Sequence, residues 1–424
     1  MKLLIKNAKL FYANKLINCE LLIEDGKFAQ IAENIVATPD MQVFDAHFNL
    51  VTPGLIDVHV HFREPGQVHK ETIKTGTLAS AHGGFTTVGA MPNVIPVPDD
   101  NEKFAKQVSL NQENSSIKTL QYAPVTKDET SDELVDIEEL AKLGAFAFSN
   151  DGHGIMNAET MYEAMERIAA IDSHLAAHVE DKNLFNHGVI NSGAAAERLG
   201  LPGIKQVAET SQLARDLVLA KETGVHYHVC HISTADGIQL VRMAKDAGIN
   251  VTCEVTPHHL LLSDADILTD DANFKMNPPL RSETDRLALI KGLQDGTIDM
   301  IATDHAPHAE NEKNQGFAKS AFGITGIETS FPLMYTKLVK TGLISLEKLL
   351  QLMAGNPAKL FNLTEVGTIK LNQPADFTII DLDNEYQINK ADFISKGTNS
   401  PFIGQKVYGT VLKTYVNGEL VYSK

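Results

Sequence analysis

The feature that most constrains the fold of this chain is a long central stretch in which short apolar runs alternate with amphipathic runs of helical period. This alternation is the pattern of βα units, whose strands are buried in a parallel sheet. Eight candidate strands lie at residues 55–61, 85–91, 117–125, 145–150, 175–179, 225–230, 250–256 and 300–303. Eight such units predict an α/β fold with a closed TIM-like (β/α)8 barrel, in which the active site lies at the carboxyl ends of the strands.

The two ends of the chain have a different pattern, with short apolar strands separated by turns and no helical period. Asn417 and Gly418 follow one such strand and form a strong hairpin signal. Neither end has enough strands to bury a core alone. We therefore expect both termini to pair into one small β-sandwich, with an N-terminal part at 1–51, a catalytic barrel at 52–364 and a C-terminal part at 365–424.

Composition and charge exclude several classes of protein. The chain has 424 residues, is 43% hydrophobic and carries a net charge of -17, which argues against a nucleic-acid partner because phosphate binding needs a basic surface. No apolar run is long enough for a membrane span. The N-terminus lacks the features of a secretory signal, so we expect a cytoplasmic location. Cys19, Cys230 and Cys253 have no paired spacing and are expected to be buried structural thiols.

His59 and His61 form a His-x-His pair at the end of the first candidate strand. Side chains at positions i and i+2 of a strand point to the same face, so both imidazoles can reach one metal ion. The pair alone is equally compatible with two ordinary polar residues at a strand end. Its interpretation therefore depends on what the other strand ends carry.

Four other candidate strands also end in residue types that bind metals. These residues are Asp151, His178, His231 and Asp304. A closed barrel would gather them at one mouth with His59 and His61, and chance placement at five of eight strand ends is improbable. Nitrogen and oxygen donors suit Zn²⁺, Mn²⁺ or Co²⁺, and hydrolytic chemistry favours zinc. The set is large enough for a two-metal centre.

Several motifs together carry a resemblance to a known family. They are PGLIDVHVHFREPG, GAMPN, FSNDG, AAHVED, HVCHIS, TPHH, MNPPLR and ATDHAPH. They resemble the amidohydrolase superfamily and, within it, the bacterial dihydroorotases of the long-chain type, over nearly the whole chain. The resemblance implies a metal-dependent cyclic amide hydrolase with one or two Zn²⁺ ions per subunit, two being expected. Its reaction would be the reversible cyclisation of N-carbamoyl-L-aspartate to L-dihydroorotate in pyrimidine biosynthesis.

The resemblance also implies a role for each candidate metal ligand. His59 and His61 match the ligands of a first metal, and His178 and His231 match those of a second. Asp151 occupies the bridging position, where many relatives, including hydantoinases, use a carboxylated lysine. An aspartate can bridge two ions, although its reach is shorter.

The same resemblance implies a catalytic residue and a substrate site. Asp304 matches the metal ligand that also serves as general acid and base. Arg63 lies two residues after His61, and its planar guanidinium suits a bidentate grip on the carboxylate of the substrate. The other residues implied to contact substrate are His61, Asn93, Asn277, His308, Phe322 and Gly323. By residue type alone, the asparagines could instead cap loops and His308 could be a solvated loop residue.

The polar stretch 308–323 follows the strand that carries Asp304 and has two interpretations, a lid over the active site or an exposed charged loop. His258 and His259 are expected to support the ligand side chains through hydrogen bonds. The remaining histidines are given no catalytic role; they are His47, His69, His82, His153, His174, His187, His226, His228 and His305.

Two alternative functions stay open. Dihydropyrimidinase, hydantoinase and allantoinase share the barrel and the metal chemistry, but a lysine would be expected at the position of Asp151. In a different class, an inactive dihydroorotase-like protein could act as a scaffold for aspartate transcarbamoylase, but such proteins have typically lost metal ligands. The complete ligand set predicts an active enzyme with a small-molecule substrate. We expect a homodimer, and an additional complex with the transcarbamoylase is possible on this sequence.

Overall fold

Parallel strands form a closed barrel in the middle of the chain. The structure is a computed structural model that describes residues 2–424. Seven of the barrel strands are Leu55–Val60, Phe85–Ala90, Lys118–Gln121, His174–Ala177, His226–Val229, Val251–Val255 and Met300–Ile301. They pair in parallel as a group of three and a group of four. Val60 pairs with His305 on one side, and Phe148 bridges the two groups on the other, so the predicted fold class is confirmed.

The fourth barrel position differs from its predicted strand at 145–150. Backbone hydrogen bonds join residues 146–149 to both neighbouring strands, and Phe148 bridges Ala123 on one side and Leu175 on the other. The side-chain oxygen of Asn150 accepts hydrogen bonds from the backbone N–H groups of Val125 and Thr126, at 2.8 and 3.2 Å. A side-chain amide therefore takes the place of regular backbone pairing at this strand end.

Helices cover the outside of the barrel, as the amphipathic runs predict. The helices of at least ten residues are Ile73–His82, Asn101–Asn114, Ala158–Ala170, Val207–Thr223, Ala235–Asp246 and Glu283–Asp295. Shorter helices are Ile137–Lys142, Ala194–Leu199, Pro257–Leu261, Glu310–Lys313, Gly316–Lys319, Ser330–Met334, Leu346–Leu350 and Asn356–Leu360. In Ala158–Ala170, Asn157 caps the first turn, and Met161, Met165 and Ile168 form the buried stripe. Helical spacing thus places one apolar face against the strands.

Strands from both termini form one continuous sheet beside the barrel. The N-terminal strands are Lys2–Tyr12, Lys15–Glu24, Lys27–Ala32, Met41–Asp45 and Leu50–Pro53, and the C-terminal strands are Phe377–Asp381, Thr410–Val416 and Glu419–Ser423. Leu50–Pro53 joins the two sets, because it pairs in parallel with the first strand and antiparallel with Phe377–Asp381. The sheet encloses its own apolar core, which includes Leu3, Phe28 and Phe377.

The hairpin signal near the C-terminus is confirmed. Asn417 and Gly418 connect the last two strands, and both have positive φ angles, of 50° and 74°. Positive φ at both central residues is the geometry of a type I′ turn, which suits the twist of a two-stranded hairpin.

Part of the C-terminal region leaves the sheet and lies against the barrel. Tyr386–Gln387 pairs with Lys406–Val407 as a separate short hairpin. Between these two strands, the Asn399 side chain donates hydrogen bonds to the carbonyl oxygens of Ala306 and Gly323, at 3.1 and 2.9 Å. This segment therefore supports loops at the carboxyl ends of the barrel strands.

Two further observations concern the cysteines and the helices. Cys19, Cys230 and Cys253 are all buried and free of disulfides. Among residues 2–424, no helix combines the length and the apolar character that crossing a bilayer requires.

Candidate metal centre at the mouth of the barrel

The six candidate metal ligands lie together at the carboxyl ends of the barrel strands. All six side chains are buried; they belong to His59, His61, Asp151, His178, His231 and Asp304. Five of them, all except His59, line a cavity of about 220 Å³ that opens at the mouth. The remaining residues around this cavity are Arg63, Asn93, Gly152, Asn277, Ala306, His308, Phe322 and Gly323. The structure thus brings every predicted site residue except His59 directly to one cavity.

One half of the cluster joins the His-x-His pair to two carboxylates. His59 Nε2 lies 3.3 Å from Asp151 Oδ1, and His61 Nε2 lies 3.4 Å from Asp151 Oδ2. Asp304 Oδ1 is 3.0 Å from His61 Nε2 and 3.6 Å from His59 Nε2. These four side chains therefore direct nitrogen and oxygen donors at one small space.

The other half of the cluster contains the two remaining histidines. His178 Nδ1 lies 3.0 Å from His231 Nε2. Asp151 Oδ1 lies 3.8 Å from His178 Nδ1 and 3.6 Å from His231 Nε2. Because Asp151 also faces His59 and His61, its carboxylate stands between the two halves.

The hydrogen bonding at these atoms fits a bound cation. His59 Nε2 and Asp151 Oδ1 are buried and have no hydrogen-bond partner. A neutral His61 that donates from Nδ1 to the Asn93 side-chain oxygen, at 2.8 Å, presents only a lone pair at Nε2 to Asp304. Buried polar atoms without partners cost about 1–3 kcal/mol each, so a divalent ion among these donors would satisfy them. The residues present therefore suit a metal centre.

Electrostatics keep the carboxylate of Asp304 ionised. Burial alone would raise its pKa, but in the metal-free site a protonated His61, whose Nε2 lies 3.0 Å away, and the charges of the other nearby histidines lower the pKa to about 2. The pKa of Asp151 is also held well below its usual range, since the charge of His59 and contacts with His231 outweigh burial. Both groups are thus negatively charged acceptors at neutral pH.

Three of the four metal-facing histidines, His59, His61 and His178, have a side-chain partner at the ring nitrogen that points away from the cluster. Asn93 accepts from His61 Nδ1, and the Asn277 side-chain nitrogen lies 3.3 Å from His178 Nε2. Asn277 also donates to Glu180 Oε2 at 2.6 Å. Both asparagines line the cavity, so the same side chains that orient metal-facing histidines are also within reach of a substrate.

Glu254 is the partner of His59, and this role was not predicted from the sequence. Its carboxylate lies 2.6 Å from His59 Nδ1, and its pKa falls far below the usual range because His59 and His228 outweigh the effect of burial. The available signal was an acidic residue inside the apolar run 250–256, where burial of a charge requires partners. His228, which was given no catalytic role, is one of these partners.

The opposite wall of the cavity offers a positive charge. Arg63 is 8% exposed, and among residues 2–424 its guanidinium forms no salt bridge with a carboxylate. Its Nε donates to the Pro307 carbonyl at 3.4 Å. His308 Nε2 donates to the Phe322 carbonyl at 2.7 Å, and burial together with the charge of Arg63 lowers the pKa of His308 to about 2. Arg63 is therefore the cation that faces the cavity, beside a neutral histidine.

Two buried lysines hold the stretch 308–323 in place, and the sequence analysis identified neither. Lys313 donates hydrogen bonds to the carbonyl oxygens of Lys275, Ala321 and Gly323, at 3.0, 2.9 and 3.0 Å. Lys275 donates to the carbonyl oxygens of Phe317 and Ser320. The stretch is therefore packed against the barrel, with Phe317 buried, and its first and last residues line the cavity.

The two neighbouring histidines after the seventh strand have different partners from those expected. His259 bonds to the Thr256 hydroxyl at 2.7 Å and to the Pro278 carbonyl at 2.9 Å. His258 Nε2 is buried without a hydrogen-bond partner. His259 therefore supports the backbone next to Asn277, and neither histidine forms a side-chain hydrogen bond with a candidate metal ligand.

Comparison with known proteins gives a consistent family. Residues 48–237 match a family described as dihydro-orotase-like, and residues 317–422 match the amidohydrolase family. A dihydroorotase of Lactiplantibacillus plantarum is 55% identical over 100% of this chain and 99% of the relative. A dihydroorotase of Ligilactobacillus salivarius is 54% identical over the same shares.

Solved structures of related enzymes have the same fold. An L-hydantoinase (dihydropyrimidinase) from Arthrobacter aurescens is 27% identical, covers 100% of this chain and 96% of its own, and superposes with a TM-score of 0.90. A dihydropyrimidinase from Brevibacillus agri is 23% identical, with coverage of 100% and 95% and a TM-score of 0.89. At 23% identity, the likeness to the Brevibacillus agri enzyme shows only that the fold is shared.

Proposed function

Because this chain belongs to the dihydroorotase family of amidohydrolases, we propose that it catalyses the reversible cyclisation of N-carbamoyl-L-aspartate to L-dihydroorotate in pyrimidine biosynthesis. The observation that carries the proposal is that six candidate metal ligands form one cluster, five of which line a single cavity together with Arg63, which has no carboxylate partner among residues 2–424. The candidate metal ligands suit activation of water and of an amide carbonyl, and Arg63 suits binding of an anionic substrate.

We propose that Zn²⁺ occupies this site, with two ions per subunit. His59, His61, Asp151 and Asp304 would hold the first ion, and the residues of the second would be His178, His231 and Asp151. When bound, zinc supplies a Lewis acid that polarises the ring amide carbonyl and lowers the pKa of water towards neutrality.

Asp304 is the catalytic acid and base in this proposal. Its low pKa keeps the carboxylate ionised, so in ring opening it can accept a proton from the attacking water. It then returns that proton to the ring nitrogen as the amide bond breaks. Ring closure is the microscopic reverse, in which Asp304 takes the proton from the attacking ureido nitrogen. One carboxylate thus serves both directions.

Arg63 anchors the substrate through the carboxylate that persists on both sides of the reaction. N-carbamoyl-L-aspartate has two carboxylates, and ring closure consumes one of them. The guanidinium of Arg63 has free donors facing the cavity, which suits a charge-assisted grip on the other. His308, Phe322 and Gly323 complete the wall on that side. The anchor holds the ureido nitrogen and the reacting carboxyl at fixed separation.

The experiment that tests the function is an assay of purified protein with dihydroorotate, hydantoin and allantoin, combined with elemental analysis. We expect turnover of dihydroorotate in clear preference to the other two substrates, in protein that contains zinc. Faster turnover of hydantoin or allantoin would instead support one of the related cyclic amidases. A zinc-replete preparation that turns over none of them would contradict the proposal.

We further propose a cytoplasmic homodimer, with its chain divided into 1–51, 52–364 and 365–424. Light scattering after size exclusion tests the dimer, since a mass near 46.3 kDa would show a monomer instead. Co-elution with aspartate transcarbamoylase tests the additional complex. A purely scaffolding role is disfavoured because all six candidate ligands are in place.

A further inference from the structure

A buried carboxylate behind the candidate metal centre contacts both of its halves. Glu254 lies in the strand Val251–Val255 and is 0% exposed. Its Oε1 accepts from His59 Nδ1 at 2.6 Å and from the backbone N–H of His231 at 3.2 Å. Its Oε2 accepts from His228 Nε2 at 3.1 Å. One side chain thus holds a ring of the first half and the backbone of the second.

These contacts continue as a hydrogen-bonded chain into the barrel interior. His228 Nδ1 lies 2.8 Å from the Thr252 hydroxyl oxygen, which lies 2.9 Å from His226 Nε2. His226 and His228 are two residues apart on one strand, so both rings point to the same face. The chain therefore runs back from His59, through Glu254, towards the start of the strand His226–Val229.

The chemistry of the partners fixes where the protons lie along this chain. The carboxylate of Glu254 can only accept, so His59 Nδ1 and His228 Nε2 must each carry a hydrogen. A neutral His228 then accepts from the Thr252 hydroxyl at Nδ1, and Thr252 in turn accepts from His226. When an ion binds at Nε2, His59 is neutral, so the hydrogen on Nδ1 leaves the lone pair of Nε2 to the ion. This Nε2 is the buried atom without a hydrogen-bond partner that faces Asp151.

The same side chains could be read as a further metal site, because His59, Cys230 and Glu254 lie close together. The distance argues against it. Two ligands on one tetrahedral zinc ion are about 3.3 Å apart, given metal–ligand bonds of about 2.0–2.1 Å. The separation of 2.6 Å between His59 Nδ1 and Glu254 Oε1 leaves room only for a shared hydrogen.

We propose that Glu254 is a positioning residue for the metal centre, which selects the His59 tautomer that presents Nε2 and ties the backbone of His231 to the same carboxylate. Thr252 and His228 keep Glu254 itself in place. This inference rests on the proposed metal-dependent function and adds to it a residue that touches neither the ion nor the substrate. Supporting partners of this kind orient metal-binding histidines and increase their basicity.

The test is zinc affinity in Glu254→Gln, measured by competition with a chromogenic chelator on metal-depleted protein. The substitution keeps the shape and removes the charge and one acceptor. We expect zinc affinity to fall by about 10–100-fold. The matched control is Asp216→Asn, which alters an equally buried carboxylate that contacts Tyr227, Gln212 and Arg215 and none of the candidate ligands. Zinc binding by Glu254→Gln as tight as that of the control and of wild type would overturn the inference.

A second variant keeps the test decisive if Glu254→Gln does not fold. Thr252→Val removes only the hydroxyl that donates to His228 Nδ1. In protein labelled with ¹⁵N-histidine, wild type should contain a His228 resonance of the Nε2–H tautomer, identified by its loss in His228→Gln. Thr252→Val should keep that tautomer, because Glu254 still accepts from Nε2, but His228 loses the donor that holds its Nδ1. We therefore expect Thr252→Val to bind zinc more weakly than wild type. An Nδ1–H tautomer of His228 in wild type would contradict the proposed chain.

The outcomes separate this inference from the proposed function. Wild-type protein that binds no zinc at the cluster would remove the metal-dependent function itself. Wild-type protein that binds zinc and turns over dihydroorotate, with Glu254→Gln unchanged in zinc affinity, would remove only the role of Glu254.

Discussion

Two buried regions of this molecule are built from opposite kinds of side chain. The core of the terminal sheet is apolar, with Phe377 stacked on Tyr415 at 4.4 Å between ring centroids. The interior of the barrel beneath its mouth contains His59, Glu254 and His228, all 0% exposed. The first region is stabilised by removal of apolar surface from water, whereas the second buries ionisable groups that require partners.

The two regions differ in their need for a ligand. The core cluster of the sheet consists almost entirely of apolar side chains, which require no hydrogen-bond partner. The mouth leaves His59 Nε2 and Asp151 Oδ1 without hydrogen-bond partners, and a bound ion would contact both atoms. Substitutions in the two regions should therefore act on different quantities, stability in the sheet and turnover or binding at the mouth.

The largest effect is expected for Asp304→Asn at the mouth. Asparagine keeps the shape of the side chain but cannot accept and return a proton, so kcat should fall by about 10²–10⁴-fold while substrate binding stays measurable. Steady-state kinetics with dihydroorotate and calorimetric substrate binding measure the two quantities. Activity comparable to wild type would refute the role of Asp304.

The corresponding change in the sheet is Phe377→Ala, which should act on stability alone. Phe377 is fully buried and contacts the rings of Phe28 and Tyr415, so its loss should cost about 3–5 kcal/mol in the free energy of unfolding. Denaturant unfolding measures this cost, and kcat at 25 °C should match wild type. A large loss of kcat in folded protein would show that the two regions are not separate.

Arg63→Met tests the substrate end of the mouth. Loss of a charged hydrogen-bond donor costs about 1.5–3 kcal/mol, so kcat/KM for dihydroorotate should fall by about 10–100-fold, chiefly through KM. Arg63→Lys keeps the charge but not the planar pair of donors, so its kcat/KM should lie between those of wild type and Arg63→Met. If Arg63→Met leaves KM unchanged, the substrate carboxylate is held elsewhere.

The smallest effect concerns the pH dependence of stability at Lys313. Burial lowers the pKa of Lys313 to about 7 in the folded protein, from an ordinary value of 10.5. Between these values the unfolded chain binds more protons than the folded one, so this group makes the folded state more stable as pH rises from 7 towards 10. Lys313→Met removes that contribution.

The advantage of wild type over Lys313→Met should therefore grow by about 1 kcal/mol or more between pH 7 and pH 9.5. Thermal unfolding of both proteins at the two pH values measures the change. Curves that stay parallel with pH would show that the hydrogen bonds from Lys313 to three carbonyl oxygens keep it charged throughout.

The sequence predicts much of this structure because its signals are local. Strand and helix periods identify the barrel units, and strand-end positions bring His59, His178 and Asp304 to one mouth once the barrel closes. The end of the fourth strand was not foreseen, because the side-chain oxygen of Asn150 takes the place of a backbone acceptor there. That substitution depends on a neighbouring strand and leaves no periodic signal.

Residues that support the site were harder to predict than residues that face it. Glu254, Lys275 and Lys313 owe their roles to partners that are distant in sequence; His59 and Glu254, for example, are 195 positions apart. Asn399 likewise contacts a loop at the mouth that is distant in sequence, through its hydrogen bond to the Ala306 carbonyl. Such contacts follow from which strands and loops become neighbours in the closed barrel, and short-range patterns do not encode that.

The most direct test of this account is anomalous X-ray diffraction at the zinc edge from crystals of zinc-loaded, active protein. The account predicts one peak among His59, His61, Asp151 and Asp304, and a second among His178, His231 and Asp151. Active protein with no peak at this cluster, or with zinc bound only elsewhere, would contradict it.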